Sequence, residues 1–350
     1  MLESHEIGLI AAGGIALIVC CCVSALMVAL WFVCCRKREQ SKAVQKVVQT
    51  YNLDGVDLAL KMDSLRLNRE DIARFDVDET LFHIKYEDLE VKWKIGSGGA
   101  SAVVFYATWK GSPVAFKCFK TAEVCGGERQ FAEFEKEASL LISLAHPHII
   151  SVYGCTLNPP RVGIVMEYCE NGDLRNYICN HQETSQAIRL CWLADTASAI
   201  EHVHSIAVIH RDVKPDNVFL DAELTAKLAD FGLGRSFQVD DLETCAKTMF
   251  VGTSGYIAPE VISGTDYTES CDVFSFGVLA YTVLTGEFSP YGGTANVDYR
   301  VATDPTFRPD LGAGGVPDGL KALLAECWEH NVADRPTMHC VVRELSEFSE

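Results

Sequence analysis

The stretch His210-Arg211-Asp212-Val213-Lys214-Pro215-Asp216-Asn217 sets an imidazole, a guanidinium, two carboxylates, an ammonium and an amide within eight positions, and the apolar run Val218-Phe219-Leu220 follows directly. Thirteen residues after Asn217 comes Asp230-Phe231-Gly232. A solvated loop has no need of a rigid apolar flank. A site that must hold an acid, a cation and an amide in fixed geometry does need one. Carboxylates gathered without a cation would repel one another and have raised pKa values, which metal binding relieves.

The elements that must position these groups begin at Leu89. Val91 to Ile95 reads as a strand, Gly96-Ser97-Gly98-Gly99-Ala100-Ser101 as a glycine-rich turn, and Ala102 to Trp109 as a second strand. Glycines let backbone N–H groups approach phosphate oxygens closely. A Rossmann site would need a helix directly after them, and a Walker loop would need Gly-Lys-Ser/Thr. Neither is present; strand–glycines–strand can instead fold over a nucleotide as a lid. A flexible hairpin tip is the bland alternative. The third strand, Val114 to Phe119, carries Lys117 inside an apolar run, where a lysine is costly without an anion. The helix expected over Phe131 to Leu144 offers Glu137 on its inward side.

Taken together, the chain from Leu89 to Phe348 resembles a eukaryotic protein kinase domain. The resemblance is carried by the glycine loop, Val114-Ala115-Phe116-Lys117, the stretch His210 to Asn217, Asp230-Phe231-Gly232, Ala258-Pro259-Glu260, Asp272 to Gly277, and Cys327-Trp328 with Arg335-Pro336-Thr337. Cys327-Trp328 with Arg335-Pro336-Thr337-Met338 resembles the tyrosine kinases and the tyrosine-kinase-like group, while Lys214, two residues after Asp212, is similar to the serine/threonine pattern, a combination that resembles the tyrosine-kinase-like group. The resemblance implies an α+β bilobal protein kinase fold, with a β-rich N-lobe and a helical C-lobe.

It also implies roles. Asp212 would be the catalytic base, and Lys214 would contact the transferred phosphate. Lys117 would hold ATP phosphates and pair with Glu137. Ile95, Gly96, Ser97, Gly98, Gly99, Ala100, Ser101, Ala102, Val103 and Ala115 would enclose ATP, with Met166 as gatekeeper and Glu167 to Cys169 as the hinge. Asn217 and Asp230 would hold Mg²⁺. Asp230 to Glu260 would be the activation segment, with Thr248 as regulatory phosphosite, Arg211 as the cation it recruits, and Thr253 against Asp212 and Lys214. Glu260 and Arg335 would form a buried pair, and Asp272 would bind the backbone around His210. Ser101 stands where the family loop has its third glycine. The implied partners are ATP and protein substrates with Ser/Thr acceptors. A membrane-tethered nucleotide-binding scaffold with weak or dual-specificity activity is the alternative.

Upstream, Ile7 to Cys35 carries no charged residue, a run longer than the ~20 residues that cross a bilayer core. The acidic start and the cluster Arg36-Lys37-Arg38 put residues 1–6 outside and the rest in the cytosol by the positive-inside rule. This predicts a single-pass transmembrane helix over 7–35, a cytosolic juxtamembrane linker over 36–88, and a kinase domain over 89–348 at a membrane, expected to be the plasma membrane. Gly8, Ala12 and Ala16, spaced by four, either offer a face for a dimer partner or co-receptor or reflect ordinary transmembrane composition. Cys34 and Cys35 lie at the expected cytosolic face, where acylation occurs. The formal charge of -18 over 350 residues argues against nucleic acid as a partner. Fifteen cysteines without a C-x-x-C pair after Cys35 read as reduced thiols rather than a zinc site.

Overall fold

Burial on both sides of the strands from Leu89 gives a sheet with two covered faces. The computed structural model describes residues 83–98, 102–119, 138, 141–142, 144–156, 162–231, 252–312 and 314–348. The run Ile7–Cys35 lies outside them; among the described residues no helix is long and apolar enough to cross a membrane. Strands β1 (Leu89–Gly98), β2 (Ala102–Trp109), β3 (Ser112–Phe119), β4 (Val152–Thr156) and β5 (Gly163–Glu167) form one antiparallel sheet in the order β1-β2-β3-β5-β4. One face buries Leu89, Ala107, Val114, Phe116 and Val165. The other buries Ala102, Phe119, Cys155 and Ile164 with Ala138, Leu141 and Leu144.

Two local features differ from the expectation. Gly96, Ser97 and Gly98 remain in the β1–β2 ladder, down to Gly98 opposite Ala102, after a register shift between Lys94 and Gly96. Glycine pairs its backbone as any residue does, so β1 continues through Gly98. Residues 83–88, read as the end of the linker, fold onto the sheet. The Ile84 N–H donates to Cys155 O (2.9 Å), and Ile84 joins the outer apolar cluster. The polar residues between Ile84 and Leu89 mask this from a hydropathy reading.

The second layer is helical: α1 (Leu174–Asn180), α2 (Gln186–Ser205), α3 (Pro259–Ile262), α4 (Ser270–Thr285), α5 (Val297–Thr303), α6 (Asp318–Cys327) and α7 (Met338–Ser346), with the hairpin β6 (Val218–Leu220) and β7 (Ala226–Leu228). Side-chain caps start several of these helices. Asp173 accepts from the Asn176 N–H (2.9 Å), Ser185 from Ile188 (3.4 Å) and Thr337 from Cys340 (3.4 Å). Helix α4 is buried on all sides, as a helix apolar around its whole circumference must be. Gly277 lets it approach α6: a Cβ there would stand 2.8 Å from the Cys327 Cβ.

Buried polar groups tie these layers to the stretch His210–Asn217. Asp272, fully buried on α4, accepts the His210 N–H (2.8 Å) and the Arg211 N–H (2.8 Å), and His204 Nε2 lies 2.9 Å from it. Arg335 and Glu260 form the expected buried, two-pronged pair (2.7 and 2.8 Å), and Arg335 also donates to Glu329 O and Ser270 O. Among the described residues none of the eight cysteines is in a disulfide.

Candidate active site

The stretch His210–Asn217 lies between α2 and β6, and its backbone is held from beneath by Asp272. That grip places Arg211 at φ 69, a left-handed conformation that a non-glycine residue adopts only when its surroundings over-determine it. His210 is buried. Its Nδ1 accepts from the Asp212 N–H (3.3 Å) and its Nε2 donates to Ala229 O (2.9 Å), which selects the Nε2–H tautomer. Its ring lies 4.7 Å from that of Phe231. The imidazole is therefore a strut between the Asp212 backbone and the strand leading to Asp230, not a chemical group.

Asp212 is the hub. Lys214 Nζ donates to its Oδ2 (2.6 Å), the Thr253 hydroxyl to its Oδ1 (3.0 Å), and Asn217 Nδ2 to its Oδ2 (2.8 Å) and backbone O (2.8 Å). Lys214 Nζ also donates to Thr253 Oγ1 (2.6 Å), closing a three-membered ring of polar groups. Burial pushes the Asp212 carboxyl up. The hydrogen bond and charge of Lys214, with the donors Asn217 and Thr253, outweigh it and hold the group below the ordinary carboxylate value. An ionised acceptor with a cation beside it can take a proton from a hydroxyl while the cation faces incoming negative charge.

Above this ring, Lys117 is buried on β3, and its ammonium pairs with the Asp230 carboxylate. The expected anion for Lys117 was Glu137, which lies outside the described residues, as do Gly99, Ala100, Ser101 and Thr248. Asp230 has φ 64, so the chain turns sharply as it leaves the β6–β7 hairpin and brings its carboxylate up to β3. Because Asn217 commits its amide nitrogen to Asp212, its amide oxygen is the atom left for a cation. Asp230 and Asn217 thus offer the hard oxygen donors that a Mg²⁺-like ion requires. Among the described residues no three His, Cys, Asp or Glu side chains converge as a metal cluster. A cation here would complete its shell with water and phosphate oxygens.

The remaining expected nucleotide contacts lie on the sheet. Ile95 is exposed on β1, Ala102 and Val103 begin β2, and Ala115 on β3 pairs with Met166 on β5. Glu167 turns its side chain away to Lys227 Nζ (2.8 Å) and the Ser151 N–H (3.1 Å), so what it offers a nucleotide is backbone. Cys169 is buried beside Ile150 and Ala229, and burial pushes its thiol well up, which makes it inert packing. Arg211 stands apart from the ring, its guanidinium 5.6 Å from the Tyr267 ring centroid and its Nε buried without a hydrogen-bond partner.

Lys227 escaped the sequence reading although a signal was present. It is a lysine between Ala226 and Leu228, as Lys117 is between Phe116 and Cys118. It answers Glu167 at the end of β5 and Asp221 after β6 (3.7 Å), joining the hairpin that leads to Asp230 with the connection between the layers.

Known proteins bear on this arrangement. The profile of the protein kinase domain matches residues 89–345. A protein of Acanthamoeba polyphaga mimivirus named as a serine/threonine-protein kinase/receptor is 34% identical over 267 residues, which cover 76% of this chain and 16% of that protein. A serine/threonine-protein kinase of Dictyostelium discoideum is 32% identical over 281 residues, 79% of this chain and 26% of that protein. Mitogen-activated protein kinase kinase kinase 7 of Bos taurus is 33% identical over 276 residues, 76% of this chain and 44% of that protein. The chain therefore spans less than half the length of each of these relatives. With the profile crossing both the sheet and the helical layer, and the acid, lysines and amide of the site inside it, the chain belongs to the protein kinase domain family.

Proposed function

We propose that the chain is a serine/threonine protein kinase that uses ATP and Mg²⁺. The single observation that carries this reading is the ring Asp212–Lys214–Thr253, in which an ionised carboxylate, a lysine and an activation-segment hydroxyl are mutually hydrogen-bonded. Asp212 would accept the proton of a protein Ser or Thr hydroxyl as its oxygen bonds to the γ-phosphorus and the bond to the β-phosphate oxygen breaks, releasing ADP. Lys214 sets positive charge where the transferred phosphoryl passes, and Lys117 does the same for the remaining phosphates. Bound Mg²⁺ would neutralise phosphate charge from the oxygens of Asn217 and Asp230. Thr253, by occupying the side of Asp212 opposite Asn217, shapes the entrance for an aliphatic hydroxyl.

The pairing of Lys214 with Cys327-Trp328 supports placement in the tyrosine-kinase-like group. The apolar run Ile7–Cys35 followed by Arg36-Lys37-Arg38 supports a single-pass anchor with the kinase on the cytosolic side of the plasma membrane. Incubation of the chain with labelled ATP, followed by phosphoamino-acid analysis, tests the specificity. Phosphoserine and phosphothreonine are expected, and predominant phosphotyrosine would refute the assignment of Lys214. Protease added outside intact cells tests the topology: the kinase domain should be spared, and its digestion would overturn the orientation.

A further inference from the structure

The segment that carries Thr253 is a tight turn with an outside anchor. The Tyr256 N–H donates to Thr253 O (3.0 Å), which closes a turn over Ser254 and Gly255. Gly255 has φ 87, the value required at the third position of a type II turn. In such a turn the N–H of the third residue is not part of the closing bond. Here it donates to Asp298 Oδ1 (2.9 Å), 43 positions downstream. Asp298 is the second residue of α5, where a carboxylate ordinarily serves its own helix start; the N-cap of α5, Asn296, makes no side-chain bond there. The carboxylate is turned instead to the turn on the neighbouring segment. A Cβ on Gly255 would meet the Tyr291 ring at 3.6 Å and Val297 at 3.9 Å, so apolar contacts close the other side of the anchor. The far end of the turn is held too, because Ser275 Oγ donates to Tyr256 O (2.8 Å).

We propose that Asp298 is a positioning residue for the protein acceptor: it fixes the Thr253–Tyr256 turn through Gly255, and so holds the Thr253 hydroxyl on Asp212 and Lys214. The inference rests on the kinase reading given above and adds a group on α5 that touches none of the reacting atoms. Without it, the turn keeps its closing bond but loses the contact that fixes its orientation against α5. Thr253 then leaves Asp212 and Lys214 for part of the time, while Lys117, Asn217 and Asp230 are untouched. The defect should therefore fall on the acceptor and spare the nucleotide.

The test compares the full chain with Asp298→Ala and Asp298→Asn, with myelin basic protein as acceptor. Asp298→Ala should lower kcat/KM for the acceptor about tenfold, the size of one charge-assisted hydrogen bond, and leave KM for ATP within about twofold. Asp298→Asn keeps an oxygen in place and should recover most of the loss. Thr253→Ala with Asp298→Ala should be no worse than Thr253→Ala alone, because Asp298 acts through Thr253. Should the alanine chain fail to fold, Asp298→Ser, too short to reach Gly255, takes its place. Equal loss for acceptor and ATP, or additive loss in the double variant, would overturn the proposal and leave Asp298 a stability residue. Amide exchange at Gly255 separates this idea from the kinase reading. The amide should be protected in the unmodified chain and exchange faster in Asp298→Ala, whether or not phosphate is transferred. Identical exchange in the two chains would refute the anchor.

Discussion

Replacing Asp272 by Ala should damage stability and catalysis together. The carboxylate is fully buried and accepts the N–H groups of His210 and Arg211 at 2.8 Å each. A buried donor left without an acceptor costs about 1–3 kcal/mol, so the two together cost roughly 2–6 kcal/mol. The lower end holds if water enters the space, and the loss of the His204 contact adds to either end. That is a large share of the ~5–15 kcal/mol that a domain commands. Arg211 at φ 69 adds a second consequence. A left-handed residue costs roughly 1 kcal/mol, and Asp272 is what holds it there. Released, Arg211 should relax toward φ below zero and carry Asp212 out of line with Lys214 and Thr253. Urea unfolding followed by fluorescence, beside kcat on the folded fraction, measures both effects. Asp272→Asn, which keeps one acceptor but sets an amide donor against one N–H, should fall between the two. A loss below about 1 kcal/mol with unchanged kcat would refute the claim that Asp272 holds the catalytic backbone.

Further outcomes follow from the same geometry. Lys214→Met removes the main influence that offsets burial at Asp212, so its carboxyl should rise and the acid limb of kcat/KM should move to higher pH; an unmoved limb would mean that another group sets it. In the unmodified chain, the lowered carboxyl contributes stability that is present above the unfolded pKa of about 3.9 and is lost as pH falls through the folded value. Arg335→Ala should cost about 3–5 kcal/mol, because it leaves Glu260 buried without its two-pronged partner, whereas replacing both by matched apolar residues should cost far less; thermal unfolding of the two variants checks this. Burial, with the charges of His202 and His148, pushes the His146 imidazole down to about 4, below the ~6.5 of an unfolded chain. The unfolded state then binds more protons between those values, so stability should fall as pH drops through that window, and a proton titration of the His146 ring should show a midpoint near the lower end; a midpoint near 6.5 would contradict its burial.

Much of the fold was legible because its signals are local. Val91, Lys117, Asp212 and Asp230 announce their strands and loops by type and by their immediate neighbours. The grip of Asp272 on the His210 backbone and the Glu260–Arg335 pair followed from the family resemblance, and the structure places both as expected. What stayed hidden depends on distant partners. Among the described residues, the carboxylate beside Lys117 is that of Asp230, 113 positions away, and one carboxylate in the sequence looks like another. Asp298 looks like any acidic residue in a first helical turn; its role appears only when α5 stands next to the turn at Gly255. Ile84 seemed part of a charged linker because its apolar partners, Phe116 and Val165, lie on other strands. Lys227 carries the same local signal as Lys117, a lysine set among apolar strand residues.

In the proposed reaction Asp212, held by Lys214, Asn217 and Thr253, accepts the proton of a protein hydroxyl during transfer from ATP. Phosphate incorporation from labelled ATP, compared between the unmodified chain and Asp212→Asn, tests it most directly. Asn keeps the shape and one acceptor oxygen but cannot take the proton, so incorporation should fall by roughly 10²-fold or more while nucleotide binding persists. Equal incorporation by the two chains would contradict the account.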